Sequence, residues 1–338
     1  MIRLSVLDQS PVRSGATPAD AIRETLALAR AADRLGYHRY WLAEHHSTPA
    51  LAGPSPEVLM PAVAAATTGI RVGSGGVMLQ HYSALKVAEW FRVLETLHPG
   101  RIDCGIGRAP GSDQLTARAL ATHGLPGVDD FPERVRDLLG WLHGELPPDH
   151  PYAKVLAMPT GPTAPEVWLL GSSDQSAALA AHFGTGFSFA HFINAEGGAQ
   201  VTRAYQEAFK PAPWLREPRV SAAVFVVCAD TEAEALRLAR SRDLFIVRLY
   251  TGRSGRYPTV AEAEAHVYTP YERVLVEHAQ RRRIAGTPDR CREQLEALAR
   301  AYAVDELVVV TITESWETRL RSYALLAEAF GLTPRGDP

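Results

Sequence analysis

The chain has 338 residues, of which 46% are hydrophobic and 22% charged, with a formal charge of -3. This is the composition of an ordinary globular protein, long enough for one large α/β domain or two smaller ones. The near-neutral balance leaves no electrostatic footprint for nucleic acid or an anionic membrane, and no stretch approaches the length of a membrane span. Cys104, Cys228 and Cys291 have no paired spacing that suggests zinc or a disulfide framework, so a reducing cytoplasm is the expected location. The opening MIRLSVLDQS has too short an apolar run for a signal peptide.

In chain order, the first predicted strand is Arg3 to Leu7. Thr17, Pro18 and Asp20 then supply an N-cap, an N1 proline and an acidic first turn, and Ile22, Leu26, Ala29 and Ala32 share one helix face up to Gly36. Arg39 to Ala43 is a second strand, and Ser55-Pro56-Glu57 opens a helix ending near Gly69. Further strands are predicted at Ile70 to Val77, Arg101 to Ile106, Glu166 to Leu170, Gly186 to Ala190, Val220 to Cys228 and Glu306 to Val310, with Thr287-Pro288-Asp289 opening a helix before the last. Strand and helix alternating this often predict an α/β fold, a (β/α)8 TIM barrel spanning 1–338 as a single domain; an open doubly wound sheet is the alternative. Two insertions break the alternation: a proline-rich stretch at about 145–165, and about 251–278 with Tyr257, Tyr268 and Tyr271. Both are expected near the barrel mouth.

Active sites of such barrels lie at the C-terminal ends of the strands. The polar residues there include Asp8 and Gln9, then Glu44, His45 and His46, then Ser74, Gly75 and Gly76, then Gln80 and His81. Arg108 and Asp113 follow, and after them Gly171 to Ser176 and His191. The run WLLGSSDQSAALAAHFG passes from strand to helix through Gly171 and two serines, which gathers free backbone N–H groups and hydroxyls at a helix N-terminus. Phosphate suits that turn, with Arg108 completing a clamp; simple N-capping is the plainer reading. Strand neighbours face opposite ways, so only one of His45 and His46 can point into the barrel.

The motifs AEHH, RVGSGGVML followed by QHYSALKVAEW, RIDCGIGRAPGSDQ, WLLGSSDQSAALAA, and AGTPDRCREQLEAL through SYALLAEAF occur in that order. Together they resemble the bacterial luciferase-like flavin-dependent monooxygenase family over nearly the whole chain. The resemblance implies FMN, with its phosphate on Arg108, Ser173, Ser176 and the backbone at Gly171 and Ser172. It places the flavin ring against Ser74, Gly75 and Gly76, with a non-proline cis peptide at Gly75–Gly76, where a β-bulge is the other reading. His45 matches the family's catalytic histidine, a proton donor or acceptor; Glu44 is expected to orient one of the two histidines, and Asp113 is a further catalytic candidate. The implied reaction uses reduced FMN and O2 to oxygenate a small organic substrate. A separate NAD(P)H flavin reductase is the expected partner, since no glycine-rich nicotinamide fingerprint occurs. The resemblance also implies a homodimer through the helices at 55–68 and 84–97. Alternatives on the same fold are a deazaflavin-dependent oxidoreductase and a non-catalytic FMN-binding protein. A metal hydrolase built on His45, His81, His191 and Asp113 is a further reading, but adjacent histidines make poor joint ligands, and no metal is expected.

Overall fold

Parallel pairing runs without a break around eight strand positions in the computed structural model, which describes residues 2–109, 111–121, 130–253 and 255–336. The ring consists of β1 (Arg3–Asp8), β2 (Arg39–Leu42), β3 (Arg71–Ser74) continued by β4 (Val77–Met78), β5 (Ile102–Gly107), β6 (Glu166–Gly171), β7 (Gly186–Ala190), β8 (Val220–Cys228) and β10 (Glu306–Val310). It closes where β10 pairs with both β8 and β1, with Val309 opposite Val224 and Val6. A short strand absent from the sequence reading, β9 (Arg283–Gly286), pairs with the C-terminal half of β8 through Val226 and Ile284. Four residues are too few for a period-two signal.

The alternation of strand side chains stacks the interior in layers. At the N-terminal end, Arg39 lies 2.9 Å from Asp103, 3.1 Å from Glu166 and 2.9 Å from Glu306, and the Ser5 hydroxyl donates to Glu306. Such charges are tolerated in a core because each is paired and hydrogen-bonded. Above them sits an apolar layer that includes Leu7, Trp41, Trp168, Ala223 and Val308. Trp41 and Trp168 meet edge to face at 5.4 Å, and the Trp41 indole N–H donates to Asp103. This aromatic layer forms the floor of everything at the C-terminal end.

The two insertions have different positions and forms. Residues 145–165 join α5 (Phe131–His143) to the start of β6, so they lie at the N-terminal end of the strands, opposite the expected mouth. Arg92, on α3 (Ala84–Leu97), holds them there by donating to the carbonyls of Pro159, Gly161 and Thr163. The second stretch, 251–278, is largely helical: α8 (Glu232–Tyr250) is followed by α9 (Val260–Ala265) and α10 (Pro270–Arg281). Capping boxes Thr259/Glu262 and Thr269/Glu272 start the latter two. Between them and α8, Tyr257 is buried, stacks on Phe245 at 5.0 Å, and donates its N–H to the Val12 carbonyl just past the end of β1. No helix among the described residues is long and apolar enough to cross a membrane.

Candidate active site

The C-terminal strand ends enclose a cavity of about 490 Å³, floored by Leu7, Trp41, Ala223 and Val308. Small-molecule sites typically fall between roughly 300 and 1,000 Å³.

At one end the cavity meets the turn from β6 into α6 (Asp174–Phe183). Ser173 caps that helix, its Oγ accepting the Ser176 N–H, and the two hydroxyl oxygens lie 3.2 Å apart. Gly171 is required by space, because a Cβ there would overlap the Ser176 hydroxyl. Arg108, at the end of β5, lines the same end and donates to the Gln175 side-chain oxygen at 2.8 Å, which holds the guanidinium over the first turn of α6. Two hydroxyls and a cation thus converge at the N-terminus of a helix, an arrangement that suits an anion of phosphate size.

One wall is bare backbone. Gly75–Gly76, between β3 and β4, is a cis peptide, and both glycines line the cavity. A Cβ on Gly75 would run into Leu7 and Trp41, and one on Gly76 into Leu170 and the Gly105 carbonyl. A planar ring can therefore approach this wall closely. Ser74 differs from the expectation: its hydroxyl donates to the Gly105 carbonyl at 2.6 Å in the buried interior, and its side chain is not part of the lining.

The three residues expected to be catalytic are not brought together. His45 lines the cavity, its backbone N–H is tied to the Gly53 carbonyl, and its Nδ1 is buried with no hydrogen-bond partner among the described residues. Burial, with a smaller contribution from His46, pushes its pKa down to about 4, so the imidazole is neutral at pH 7. Glu44 is fully buried and orients His46 instead, accepting from its Nε2 at 2.7 Å. The same carboxylate accepts the Tyr82 hydroxyl and the Met78 N–H, both at 2.9 Å. Glu44 therefore clamps the end of β2 onto β4 and lies behind the cavity wall. Asp113 is exposed and caps α4 (Gln114–Leu120), one oxygen accepting from the N–H groups of Leu115 and Thr116 and the other from the Thr116 hydroxyl. A side chain committed to a helix cap outside the cavity is not placed for catalysis.

His191 bonds Tyr302 at 2.8 Å, and Asp8 is held by Arg319, Tyr40 and the Ser10 N–H. Among the described residues no group of three or more His, Cys, Asp or Glu is arranged to hold a metal. Sequence reasoning singled out polar residues and missed the apolar lining, Trp41, Met78, Leu170 and Phe192. For Trp41 and Leu170 the signal was available in the alternation along β2 and β6.

The closed barrel thus brings to one cavity the serine turn after β6 with Arg108, a bare glycine wall and, among the described residues, a single histidine. The profile of the luciferase-like monooxygenases matches residues 2–305, and the chain belongs to that family. It is 40% identical over 333 residues to the N-acetyl-S-alkylcysteine monooxygenase of Bacillus subtilis, covering 97% of this chain and 98% of the relative. Among solved structures, apo-MsnO8 superposes with a TM-score of 0.91 at 42% identity, covering 99% of this chain and 100% of that one. More distant structures share the fold. The oxygenating constituent of 3,6-diketocamphane monooxygenase from Pseudomonas putida, in complex with FMN, has a TM-score of 0.70 at 20% identity, with 97% and 98% of the two chains covered. An F420-dependent secondary alcohol dehydrogenase has a TM-score of 0.71 at 13% identity, again covering 97% and 98%.

Proposed function

We propose that the protein is an FMN-dependent monooxygenase that takes reduced FMN and O2 and places one oxygen atom on a small organic substrate. The observation that carries this reading is a single cavity with the Arg108/Ser173/Ser176 anion turn at one end, the Gly75–Gly76 wall along its side and His45 facing in. Bound reduced FMN supplies the electrons that activate O2.

The chain's own residues do the rest. Arg108, the two serines and the backbone at Gly171 and Ser172 hold the phosphate. The glycine wall admits the ring. Trp41, Leu7 and Val308 keep water from the floor. His45, neutral and with its Nδ1 unpartnered among the described residues, accepts a proton at its imidazole and donates one after a neighbouring negative charge has raised its affinity for it. Glu44 and His46 hold the strand end on which His45 is mounted.

A separate NAD(P)H flavin reductase provides the reduced cofactor, consistent with the lack of a nicotinamide fingerprint in the sequence. The three cysteines are free and buried, which suits a cytoplasmic protein. We also propose a homodimer through α2 (Pro56–Ala65) and α3, on which Val58, Val93 and Leu97 stand exposed. A deazaflavin is the second reading for the cofactor, supported by the F420-dependent neighbour of the same fold.

The relative's name makes S-alkyl cysteine derivatives the first substrates to try. The test is incorporation of 18O from labelled O2 into such a thioether, with reduced FMN supplied by a separate reductase. O2-dependent, enzyme-dependent label supports the reading. Label that enters equally without the enzyme, or turnover with reduced deazaflavin in place of FMN, overturns it.

A further inference from the structure

The basic run Arg281-Arg282-Arg283, too short for a nucleic-acid footprint, lies beside the mouth of the cavity. Arg283 is neutralised by Asp243 at 3.0 Å. Arg282 is different: its guanidinium donates to the backbone carbonyls of His278 and Ile193 and, among the described residues, meets no carboxylate. Arg281 is exposed at the end of α10 and likewise has no carboxylate partner among the described residues. A third guanidinium, Arg242, is buried close by over the Phe225 ring at 4.4 Å and donates to the carbonyls of Ala279 and Phe192.

Positive charge therefore accumulates where β7 ends. His191 registers it: burial first, and then Arg242 and Arg282, push its pKa down to about 4. Arg281, Arg282 and His278 face a shallow pocket of about 250 Å³ together with Ile193, Leu275 and Tyr250. Among the described residues Glu196 is the one carboxylate lining it, set against two arginines. Ile193 lines this pocket and the main cavity alike, so one apolar side chain, 52% exposed, stands where the two adjoin.

We propose that this pocket is a substrate subsite that holds the carboxylate end of an amphiphilic substrate, whose apolar end passes Ile193 into the cavity. The inference rests on the reading of the cavity as the cofactor and substrate site. A guanidinium without a carboxylate partner is matched by a ligand carboxylate, which it grips with a planar pair of N–H donors. Ile193, Leu275 and Tyr250 cover the adjacent methylenes, and the reacting end needs no charge where the floor is apolar. The cofactor phosphate has its own site at the ends of β5 and β6, away from these groups at β7, β8 and α10.

The test compares binding of octanoate and octanamide to the FMN-loaded protein by calorimetry. Octanoate should bind about tenfold more tightly than octanamide, the scale of one charge-assisted contact. Arg281→Gln combined with Arg282→Gln should bring the two probes to near-equal affinity, Arg281→Gln alone should reduce the preference, and Arg282→Lys, which keeps the charge but loses the planar pair of donors, should reduce it in part. FMN affinity should be the same in all four proteins. Equal binding of the probes by the parent, failure of octanoate to bind at millimolar concentration, survival of the preference in the double variant, or displacement of octanoate by inorganic phosphate in the FMN-free protein would each overturn the subsite. The comparison can be run with and without FMN, so a protein that fails to bind FMN but discriminates the probes indicts the cofactor reading and leaves the subsite standing.

Discussion

Buried Glu44 and half-buried His46 are paired, Oε1 to Nε2 at 2.7 Å, and their pairing leaves His45 as the imidazole that faces the cavity. On the proposed function, two adjacent histidines at the end of β2 have separate tasks, one mechanical and one chemical. The separation can be measured. His45→Ala should leave FMN affinity within a few-fold and slow oxygenation by about a hundredfold, the usual scale for a lost acid or base. His46→Ala should retain most of the rate but cost about 1–3 kcal/mol of stability, because the buried Glu44 loses one of its donors. Denaturant unfolding and single-turnover rates on both variants check this; equal rate losses would remove the distinction.

The depressed pKa of His45 has a consequence for stability. Its folded-state value of about 4 lies below the ordinary 6.5, so the unfolded chain binds more protons than the folded one between those limits, and stability falls as pH falls through that window. His143 and His191, also pushed down to about 4 chiefly by burial, act in the same direction. Replacing His45 with Asn should reduce the proton uptake on unfolding near pH 5 by close to one proton, measured from the pH dependence of unfolding free energy. An unchanged slope would mean that the imidazole is solvated.

Two glycines test the two ends of the cavity independently. Gly171→Ala pushes the Ser176 hydroxyl out of the anion turn and should weaken FMN by about tenfold while leaving riboflavin unaffected. Gly76→Ala pushes against Leu170 and the Gly105 carbonyl, so it should weaken both flavins and cost about 1–3 kcal/mol in folding. Parallel titrations with the two flavins distinguish the outcomes.

The exposed Val93 and Leu97 on α3 bear on assembly. The parent should sediment as a dimer at micromolar concentration, and Val93→Asp with Leu97→Asp should sediment as a monomer, since charges in an apolar interface are left without partners. A monomeric parent would contradict the homodimer.

The barrel was legible because its strands are apolar runs separated by helices with clear start signals, as at Thr17 and Thr287. The strand-to-helix turn at Gly171 was legible for a related reason, since Gly171, Ser173 and Ser176 are local in sequence. What depends on distant partners was not. Asp113 carries the same carboxylate whether it caps a helix or abstracts a proton, and only the positions of Leu115 and Thr116 decide. Glu44 finds Met78 and Tyr82 more than thirty residues away, and the carbonyls that hold Arg92 fix the proline-rich stretch at the opposite end of the barrel from the mouth. The capping boxes at Thr259 and Thr269 were readable signals, obscured by the tyrosines and short helices around them.

The most direct measurement is a fluorescence titration of the protein with FMN and with riboflavin, repeated on Arg108→Ala. The account predicts that FMN binds more than about tenfold more tightly than riboflavin, and that Arg108→Ala removes most of the difference by deleting a charge-assisted contact worth about 1.5–3 kcal/mol. Equal affinity of the parent for the two flavins would contradict it.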